Sequence, residues 1–220
     1  MSLKRAAIVI ILILLIDQIS KFYIKTHFIL GETIVVFSWF KILFVENDGM
    51  AWGAKLSDFT SFISDRSAKV ILTLFRLIAI VGIGYWLINS IKNKGSKTLI
   101  IAIVLIFTGA LGNIIDSVFY GVIFNDSLGQ VATFLPEKGY DTFLHGKVVD
   151  MLHFPMWKGY LPEWLPFLGG KYFTFFEPVF NIADMAISSG VGMLLIFNNK
   201  AFPKENSSEK NNSVTAIKSS

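Results

Sequence analysis

Three aspartates in apolar surroundings are the residues of this sequence that could do chemistry. Asp17 lies near the end of one apolar run, Asp116 closes a second run, and Asp184 opens a third. An ionised side chain at the centre of a bilayer costs about 3 kcal/mol, so such a residue usually faces a protein interior or a water-filled cavity. Carboxylates that meet there can share one proton and act as general acid and general base.

Two of these acids follow an asparagine by three positions. Asn113 precedes Asp116, and Asn181 precedes Asp184. Residues at this spacing share one face of a helix, so each amide could hold its own acid in one rotamer. From the residues alone, Asp116 is the partner to expect for Asp184. Asp150 stands in a short apolar stretch that is either a strand or an interfacial turn, and by itself it is typical of a surface loop.

The sequence lacks the residues and motifs that most other catalytic mechanisms require. The sequence has no cysteine, which excludes disulfides, thiolate catalysis and cysteine-ligated zinc. The three histidines, His27, His145 and His153, are far apart and form no His-Glu-x-x-His motif, which argues against a zinc protease. Neither a Gly-x-Ser-x-Gly motif nor a glycine-rich phosphate loop is present. Carboxylate chemistry without a metal or other cofactor remains.

Four apolar segments must position the acids. Hydrophobic residues make up 53% of the 220 residues and the mean hydropathy is +0.59, above the values of an average soluble domain. Each segment has roughly 17–22 residues, the length that crosses a hydrocarbon core of ~30 Å. The sequence therefore predicts a mainly α membrane protein with four transmembrane helices, at about 6–22, 70–91, 98–115 and 179–197. Small residues in the last segment should permit close helix packing: Ala183, Ala186, Ser188, Ser189, Gly190 and Gly192.

The basic residues indicate how the predicted helices are oriented. They cluster in the head, in the link between the second and third spans, and in the tail: Lys4, Arg5, Lys92, Lys94, Lys97, Lys200, Lys204, Lys210 and Lys218. By the positive-inside rule these regions are cytoplasmic, and segments 23–69 and 116–178 are extracytoplasmic. Asp17, Asp116 and Asp184 then reach a similar depth near the outer face of the membrane. This placement of basic residues suits a membrane protein better than a nucleic-acid-binding protein.

The two outer segments and the tail have distinct compositions. Residues 32–46 are rich in β-branched and aromatic side chains with a Ser-Trp break, which predicts a small two-stranded antiparallel sheet. Two glycines within residues 47–53 allow a tight turn. Residues 117–178 are rich in aromatic residues and interrupted by prolines, so we expect them to lie on the bilayer surface. The polar tail, residues 198–220, is predicted to be disordered in the cytoplasm.

Five short motifs, in order along the chain, resemble those of the bacterial lipoprotein signal peptidase family, also called signal peptidase II. They are Asp17-Gln18-Ile19-Ser20-Lys21, the loop from Asn47 to Gly53, Gly112-Asn113-Ile114-Ile115-Asp116, Val148-Val149-Asp150 and Phe180-Asn181-Ile182-Ala183-Asp184. Each motif alone has little specificity, but the five together span the membrane part of the chain, about residues 5–197. We therefore take residues 1–197 as one integral-membrane domain.

The resemblance implies an aspartyl endopeptidase of the bacterial inner membrane with its active site at the periplasmic face. Its substrate would be a prolipoprotein whose cysteine carries diacylglycerol, embedded in membrane lipids, with no nucleic acid, metal or cofactor involved. The motifs that hold the family's catalytic pair correspond here to Asp150 and Asp184, which replaces the pairing of Asp184 with Asp116. The supporting residues that the resemblance implies are Asp17, Lys21, Asn47, Gly49, Asn113, Asp116 and Asn181.

The chain departs from the family pattern in two ways. The arginine that closes the third motif in the family is Ser117 here. Asp116 and Asp150, and likewise Asp150 and Asp184, are separated by 34 positions, and these links are much shorter in the family, so residues 117–178 contain extra material. We hypothesise that a cation in this segment, such as Lys147, replaces the missing arginine.

Two other classes of protein are compatible with intramembrane acids. A small transporter or proton-relay protein would use the aspartates to carry ions, and an assembly factor would use them only for packing. The predicted acids lie at one face of the membrane and none lies at its midplane, which disfavours the transporter.

Overall fold

A computed structural model describes residues 1–48, 64–175 and 177–203. Gly49 and the rest of the predicted tight turn lie outside the described residues, and so does most of the predicted disordered tail.

The helices begin where serine side chains can cap them. Ser2, Ser64 and Ser96 each accept a hydrogen bond from a backbone N–H of the first turn, which satisfies a donor that the helix itself cannot pair. The helices are α1 (Leu3–His27), α2 (Asp65–Lys92), α3 (Lys97–Ile115), α4 (Gly121–Ile123), α5 (Ile182–Ile196) and α6 (Asn198–Ala201), and a π-helical turn, Asp116–Tyr120, joins α3 to α4.

Three of these helical segments are long and apolar enough to cross a membrane: Leu3–His27, Asp65–Lys92 and Lys97–Ile123. The fourth predicted span is shorter than expected, because its first residues, Val179–Phe180, form a strand, and helix α5 of 15 residues follows. Helix α1 is longer than its apolar run, because Lys21 and Lys25 are buried within it and continue the helix instead of ending it.

The strands form two antiparallel sheets. They are β1 (Thr33–Phe37), β2 (Phe40–Asn47), β3 (Val148–His153), β4 (Trp157–Tyr160), β5 (Tyr172–Phe175) and β6 (Val179–Phe180). The predicted hairpin of residues 32–46 is confirmed as β1 and β2, but it belongs to a four-stranded sheet in the order β1-β2-β3-β6. Strands β4 and β5 pair only with each other. Because β3 lies between β2 and β6, the acid at position 150 is held between the hairpin and the start of α5.

Helices α3 and α5 approach closely because glycines line their contact. A methyl group on Gly109 would collide with the carbonyl oxygen of Ala183, and one on Gly190 would lie 2.6 Å from the carbonyl oxygen of Ala102. Ala183, Ala186 and Gly190 are buried as predicted, whereas Ser188 and Ser189 are exposed. The close approach places the first turn of α5 directly against α3.

A cluster of apolar side chains fixes the sheet onto the ends of α1 and α3. Its buried members are Ile24, Phe28, Phe44, Tyr120, Phe124, Ala132, Val149 and Met151. These residues come from α1, β2, the π-helical turn, the segment after α4, and β3. Burial of apolar area at this junction therefore holds β3 against the polar residues at this end of the helices.

The segment between α4 and β3 is attached through a buried lysine. The ammonium group of Lys25 bonds to the carboxylate of Glu46 and to the hydroxyl of Ser127, 2.9 Å away. Its nitrogen lies 4.7 Å from the centre of the Tyr140 ring. Lys147 reaches the same Glu46 at 3.4 Å. These contacts hold the segment between α4 and β3 against α1 and β2.

Substitution of Gly109 by alanine should destabilise the protein by about 1–3 kcal/mol, because the added methyl group meets backbone that cannot move without separating α3 from α5. Gly82 provides a matched control, since it lies in α2 with nothing within 4 Å of the added methyl group. Gly82→Ala should stabilise its helix by about 0.5–1 kcal/mol. Thermal unfolding in detergent micelles measures both changes, and equal midpoints for the two variants would contradict this packing.

Candidate active site

Strand β3 and helix α5 bring Asp150 and Asp184 onto the same residue, Asn181. The side-chain amide of Asn181 donates to Oδ1 of Asp150 at 2.7 Å, and its backbone N–H donates to Oδ2 of Asp184 at 3.2 Å. Asp150 and Asp184, which the family resemblance implies as a pair, therefore share one hydrogen-bonding partner. Asp150 is 3% exposed, whereas Asp184 is partly exposed, so the second acid is the more accessible of the two.

Asn181 holds this position because it also caps α5. Its side-chain oxygen accepts the N–H of Asp184 at 2.9 Å, and the Asp184 carboxylate accepts the N–H of Asn181 in return. Such a reciprocal cap satisfies two backbone donors at once. The caps therefore fix the Asp184 carboxylate at the first turn of the helix, where the helix dipole favours negative charge.

Asn113 makes the second connection between the helices. Its side-chain NH₂ group donates to Oδ1 of Asp184 at 2.8 Å. Its side-chain oxygen Oδ1 accepts from Asn181 at 3.1 Å and from Lys21 at 2.9 Å. All of these contacts cross from one element to another. The side-chain amide of Asn181 donates to Asp150, and only its backbone N–H donates to the Asp184 carboxylate. The expectation that each asparagine amide holds the acid three positions later on its own helix is therefore wrong for both residues.

Lys21 sits among three acceptors at the centre of the cluster. Its Nζ lies 2.9 Å from the carboxylate of Asp17, 2.9 Å from the carboxylate of Asp116 and 2.9 Å from the side-chain oxygen Oδ1 of Asn113. None of the three charged side chains is more than 1% exposed. An ammonium group has three hydrogens, so each of them has a partner here.

Asp17 and Asp116 also accept hydrogen bonds from backbone N–H groups. Asp17 accepts the N–H of Ala183 at 2.8 Å, in the first turn of α5. Asp116 accepts the N–H of Val149 at 3.2 Å, next to Asp150 on β3. The ion cluster therefore attaches both the helix that carries Asp184 and the strand that carries Asp150. Gly112 leaves room for this arrangement, since a methyl group there would lie 2.7 Å from Asp17.

The environment of Asp150 favours its protonated form. Burial, followed by the nearby charge of Asp184, raises the pKa of Asp150 from 3.8 to about 7. The hydrogen bonds from Asn47, at 3.2 Å, and from Asn181 act in the opposite direction but are smaller. Asp150 is therefore partly protonated near neutral pH. This arrangement can supply a general acid and a general base side by side.

Three expectations from the sequence are wrong. Asp116 does not pair with Asp184, because Lys21 neutralises it in a fully buried ion pair. Asp150 is not a loop acid but lies in β3 and is buried. Lys147 does not take the place of the arginine missing at position 117, since it points to Glu46 and is 37% exposed.

Sequence reasoning also missed three contributors to the cluster. Gln18 donates to Asp116 at 3.0 Å and to Asp17 at 3.1 Å, and it accepts from the hydroxyl of Tyr120 at 3.2 Å.

Arg76 of α2 lies within electrostatic range of Asp184 and lines a cleft of about 130 Å³ together with Asn113 and Ile187. The signal for Arg76 was available, because an ionisable residue inside an apolar span is by default a functional candidate.

Within the part of the chain that the structure describes, no three side chains of histidine, cysteine, aspartate or glutamate are grouped to hold a metal ion. The oxygens of the central acids instead face amide, ammonium and backbone N–H donors.

Curated proteins similar in sequence to this chain are lipoprotein signal peptidases. A lipoprotein signal peptidase of Porphyromonas gingivalis (strain ATCC 33277) is 46% identical over 196 residues, which cover 88% of this chain and 82% of that protein. A lipoprotein signal peptidase of Amoebophilus asiaticus is 36% identical over 190 residues, covering 84% of this chain and 74% of that protein.

A solved structure described as a bacterial membrane enzyme, determined by the in meso method at 1.9 Å resolution, shares the fold. Its TM-score is 0.58 at 23% identity, and the alignment covers 91% of this chain and 96% of that chain. The family model for signal peptidase (SPase) II matches residues 9–199. This chain belongs to the signal peptidase II family.

Proposed function

We propose that this protein is an aspartyl endopeptidase that removes the signal peptide from diacylglyceryl-modified prolipoproteins at the outer face of the bacterial inner membrane. Membership of the family supports a peptidase that processes lipoprotein signal peptides. The observation that carries the aspartyl mechanism is the contact of Asp150 and Asp184 with the same asparagine, Asn181. Asp150 and Asp184 are the proposed catalytic residues.

The pair would act through one retained proton. The ionised carboxylate takes a proton from a water molecule, which then attacks the scissile carbonyl carbon. The protonated carboxyl donates to the carbonyl oxygen and stabilises the tetrahedral intermediate. That intermediate collapses when a proton returns to the leaving nitrogen. Since the pKa of Asp150 is raised to about 7, the singly protonated pair is available at neutral pH.

The other polar residues would keep the two carboxylates in place rather than react. Asp17, Lys21 and Asp116 hold backbone on both sides of the site. Asn47, Asn113 and Asn181 donate to the carboxylates directly. A catalytic pair loses rate when its geometry shifts by as little as 1 Å. A rigid, fully bonded support is therefore what this mechanism needs.

We propose Arg76 as a further positioning residue for Asp184. The chain has Ser117 where the family motif carries arginine, and Ser117 instead bonds to the carbonyl oxygen of Asn113 at 2.9 Å. Arg76 reaches the neighbourhood of Asp184 from a different helix, α2. Its positive charge would attract the Asp184 carboxylate and hold that side chain in place.

The expected topology supports the same function. With both termini in the cytoplasm and four crossings, the first turn of α5 lies near the outer face of the membrane. A cysteine that carries diacylglycerol is held at the membrane surface by its acyl chains. Its scissile bond would therefore lie at the depth of Asp184. The domain we assign to this activity is residues 1–197.

Asp150→Asn and Asp184→Asn should each lower the rate of signal-peptide release by roughly 10²–10⁴-fold, because either change removes half of the acid–base pair. The assay uses purified protein in detergent with a diacylglyceryl-modified prolipoprotein, and the released peptide is quantified by mass spectrometry.

Asp126→Asn is the matched control for these variants. Asp126 is exposed and its carboxylate accepts the N–H of Leu128 at 2.7 Å, a bond that an asparagine oxygen can keep. This variant should retain full activity. If wild-type protein releases no peptide while it conducts protons or ions in liposomes, the chain is a transporter and not a peptidase.

The stability of the protein should depend on pH through Asp150. Its folded pKa of about 7 lies above its ordinary value of 3.8, so the folded state binds the proton more tightly than the unfolded state. Stability from this group is therefore complete below about pH 4 and is lost as the pH rises towards 7. The size of the pKa shift corresponds to a change on the order of a few kcal/mol.

The side chain at position 150 cannot ionise in the Asp150→Asn variant, so this variant should not lose stability as the pH rises. Unfolding of the variant and of the wild type is measured in detergent at about pH 4 and about pH 8. The variant should gain stability relative to the wild type between the two values. Parallel pH dependences of the two proteins would rule out the raised pKa.

Arg76→Gln should lower kcat by about tenfold, which corresponds to ~1.4 kcal/mol of lost stabilisation, with little change in KM. Arg76→Lys should restore a large part of kcat because it keeps the charge. Arg66→Gln is the matched control, since Arg66 lies on the same helix but is 60% exposed and pairs with Asp141 at 3.0 Å. Equal kcat values for Arg76→Gln and Arg66→Gln would exclude a role for Arg76.

A further inference from the structure

The hairpin of β4 and β5 exposes several large apolar side chains at its end. Phe167 is 96% exposed and Trp164 is 79% exposed. Both lie in the loop between the strands, residues 161–171, which we call the hairpin tip. Tyr160 and Tyr172, where the strands meet the tip, are also exposed and pack against each other with ring centroids 5.3 Å apart. Apolar side chains exposed together in this way usually mark an interaction surface.

The backbone of the hairpin tip is closed on itself. Leu161 donates to the carbonyl oxygen of Lys171 at 2.9 Å, and Gly170 donates back to Leu161 at 3.0 Å. Within the loop, Gly169 donates to Leu165 at 3.0 Å. These bonds satisfy the backbone polar groups locally. The tip can therefore enter an apolar medium without leaving these backbone groups unpaired.

Phe167 holds a backbone conformation that does not suit it. Its φ angle is +65°, in the left-handed region where a bulky side chain is rare and glycine is favoured. Its ring is almost entirely outside the protein, so packing within the chain does not compensate for this conformation. Contacts within the chain therefore do not account for a phenylalanine at this position.

The hairpin is attached beside the apolar helices by short links. Strand β4 begins at Trp157, shortly after β3 ends at His153, and β5 ends shortly before β6 begins at Val179. The link before β4 carries Phe154, whose ring stacks on Phe180 at 5.7 Å, directly before α5.

The exposed aromatic surface also continues away from the hairpin. Phe154 stacks on Phe40 at 4.8 Å and lies 6.1 Å from the ring of Trp39, which is 55% exposed. The aromatic surface thus extends from the β1–β2 turn, past the start of an apolar helix, towards the hairpin tip.

We propose that the hairpin tip inserts into the outer interface of the lipid bilayer. Tryptophan, tyrosine and phenylalanine side chains suit this depth because their rings are apolar while indole and phenol groups reach the headgroups. Glu163 and Lys171 flank the apolar residues and are exposed, so they can remain in the headgroup layer. The partner is therefore a phospholipid surface and not a second protein.

Insertion of the tip would hold the sheet at a defined height above the membrane. Strand β3, which carries Asp150, ends at His153, and three residues separate it from the hairpin, which begins at Trp157. The benefit for cleavage of a lipid-linked substrate rests on the proposed function, whereas the insertion itself does not. A measurement of depth that uses no substrate separates the two.

The experiment uses the natural absence of cysteine from the chain. Phe167→Cys is labelled with a nitroxide and reconstituted into liposomes of phosphatidylethanolamine and phosphatidylglycerol. Collision with oxygen, which concentrates in lipid, is compared with collision with a water-soluble nickel chelate. Lys138→Cys is the matched control, since Lys138 is an exposed residue of the same outer segment.

The ratio of oxygen to nickel accessibility should be several-fold higher at position 167 than at position 138. A ratio equal to that of the control would place the tip in water and overturn the proposal. A label shielded from both reagents would place it against protein, either this chain or a second copy, and would also overturn it.

A second variant tests the role of the ring without risk to the fold. Phe167→Gly places the favoured residue at a positive φ angle, so the unfolding midpoint should not fall. With a nitroxide at Leu168→Cys, the combined change Trp164→Ser and Phe167→Gly should move the label towards water. An unchanged depth for this label would show that the aromatic side chains do not hold the tip in the bilayer.

Discussion

The ammonium group of Lys21 lies fully buried between Asp17, Asp116 and Asn113, with an acceptor 2.9 Å away for each of its hydrogens. A buried charge without partners is strongly destabilising, and loss of one member of such a cluster typically costs about 3–5 kcal/mol. The position of each acid is therefore dictated by the same cation. Because Asp17 and Asp116 also bind backbone of α5 and β3, the cluster sets the distance between the two elements that carry Asp184 and Asp150.

Two asparagines connect the Lys21 cluster to Asp150 and Asp184. Asn113 contacts Lys21 on one side and Asp184 on the other, while Asn181 contacts both Asp150 and Asp184. An amide both donates and accepts, so it can bond to a cation and to a carboxylate at once. A carboxylate in either position would add negative charge next to the pair, and an apolar residue would leave the acids without donors. The chemistry of the pair thus explains why amides surround it.

Apolar length was sufficient to predict helices α1, α2 and α3 and residue pattern predicted the β1–β2 hairpin, whereas the fourth predicted span begins as strand β6 and continues as a helix of 15 residues. The positive-inside rule brought Asp17, Asp116 and Asp184 to one predicted level. The approach of Asp150 could not be predicted from local pattern, because it depends on pairing between strands β2 and β3, whose residues lie about a hundred positions apart in the chain. The identity of the cation beside Asp116 was also ambiguous, since several lysines could have reached it. Only the resemblance to a family selected Asp150.

The pairing of Asp17 with Lys21 has a consequence for how the protein is made. The two residues are four positions apart on one helix, so α1 carries its own counter-charge. It can enter the translocon with no net charge at that level, before α2 and α3 have been synthesised. Asp116 and the N–H of Ala183 arrive later and complete the set of bonds. Asp17 and Lys21 are thus neutralised as a pair before Asp116 joins them as a second acid on the same cation.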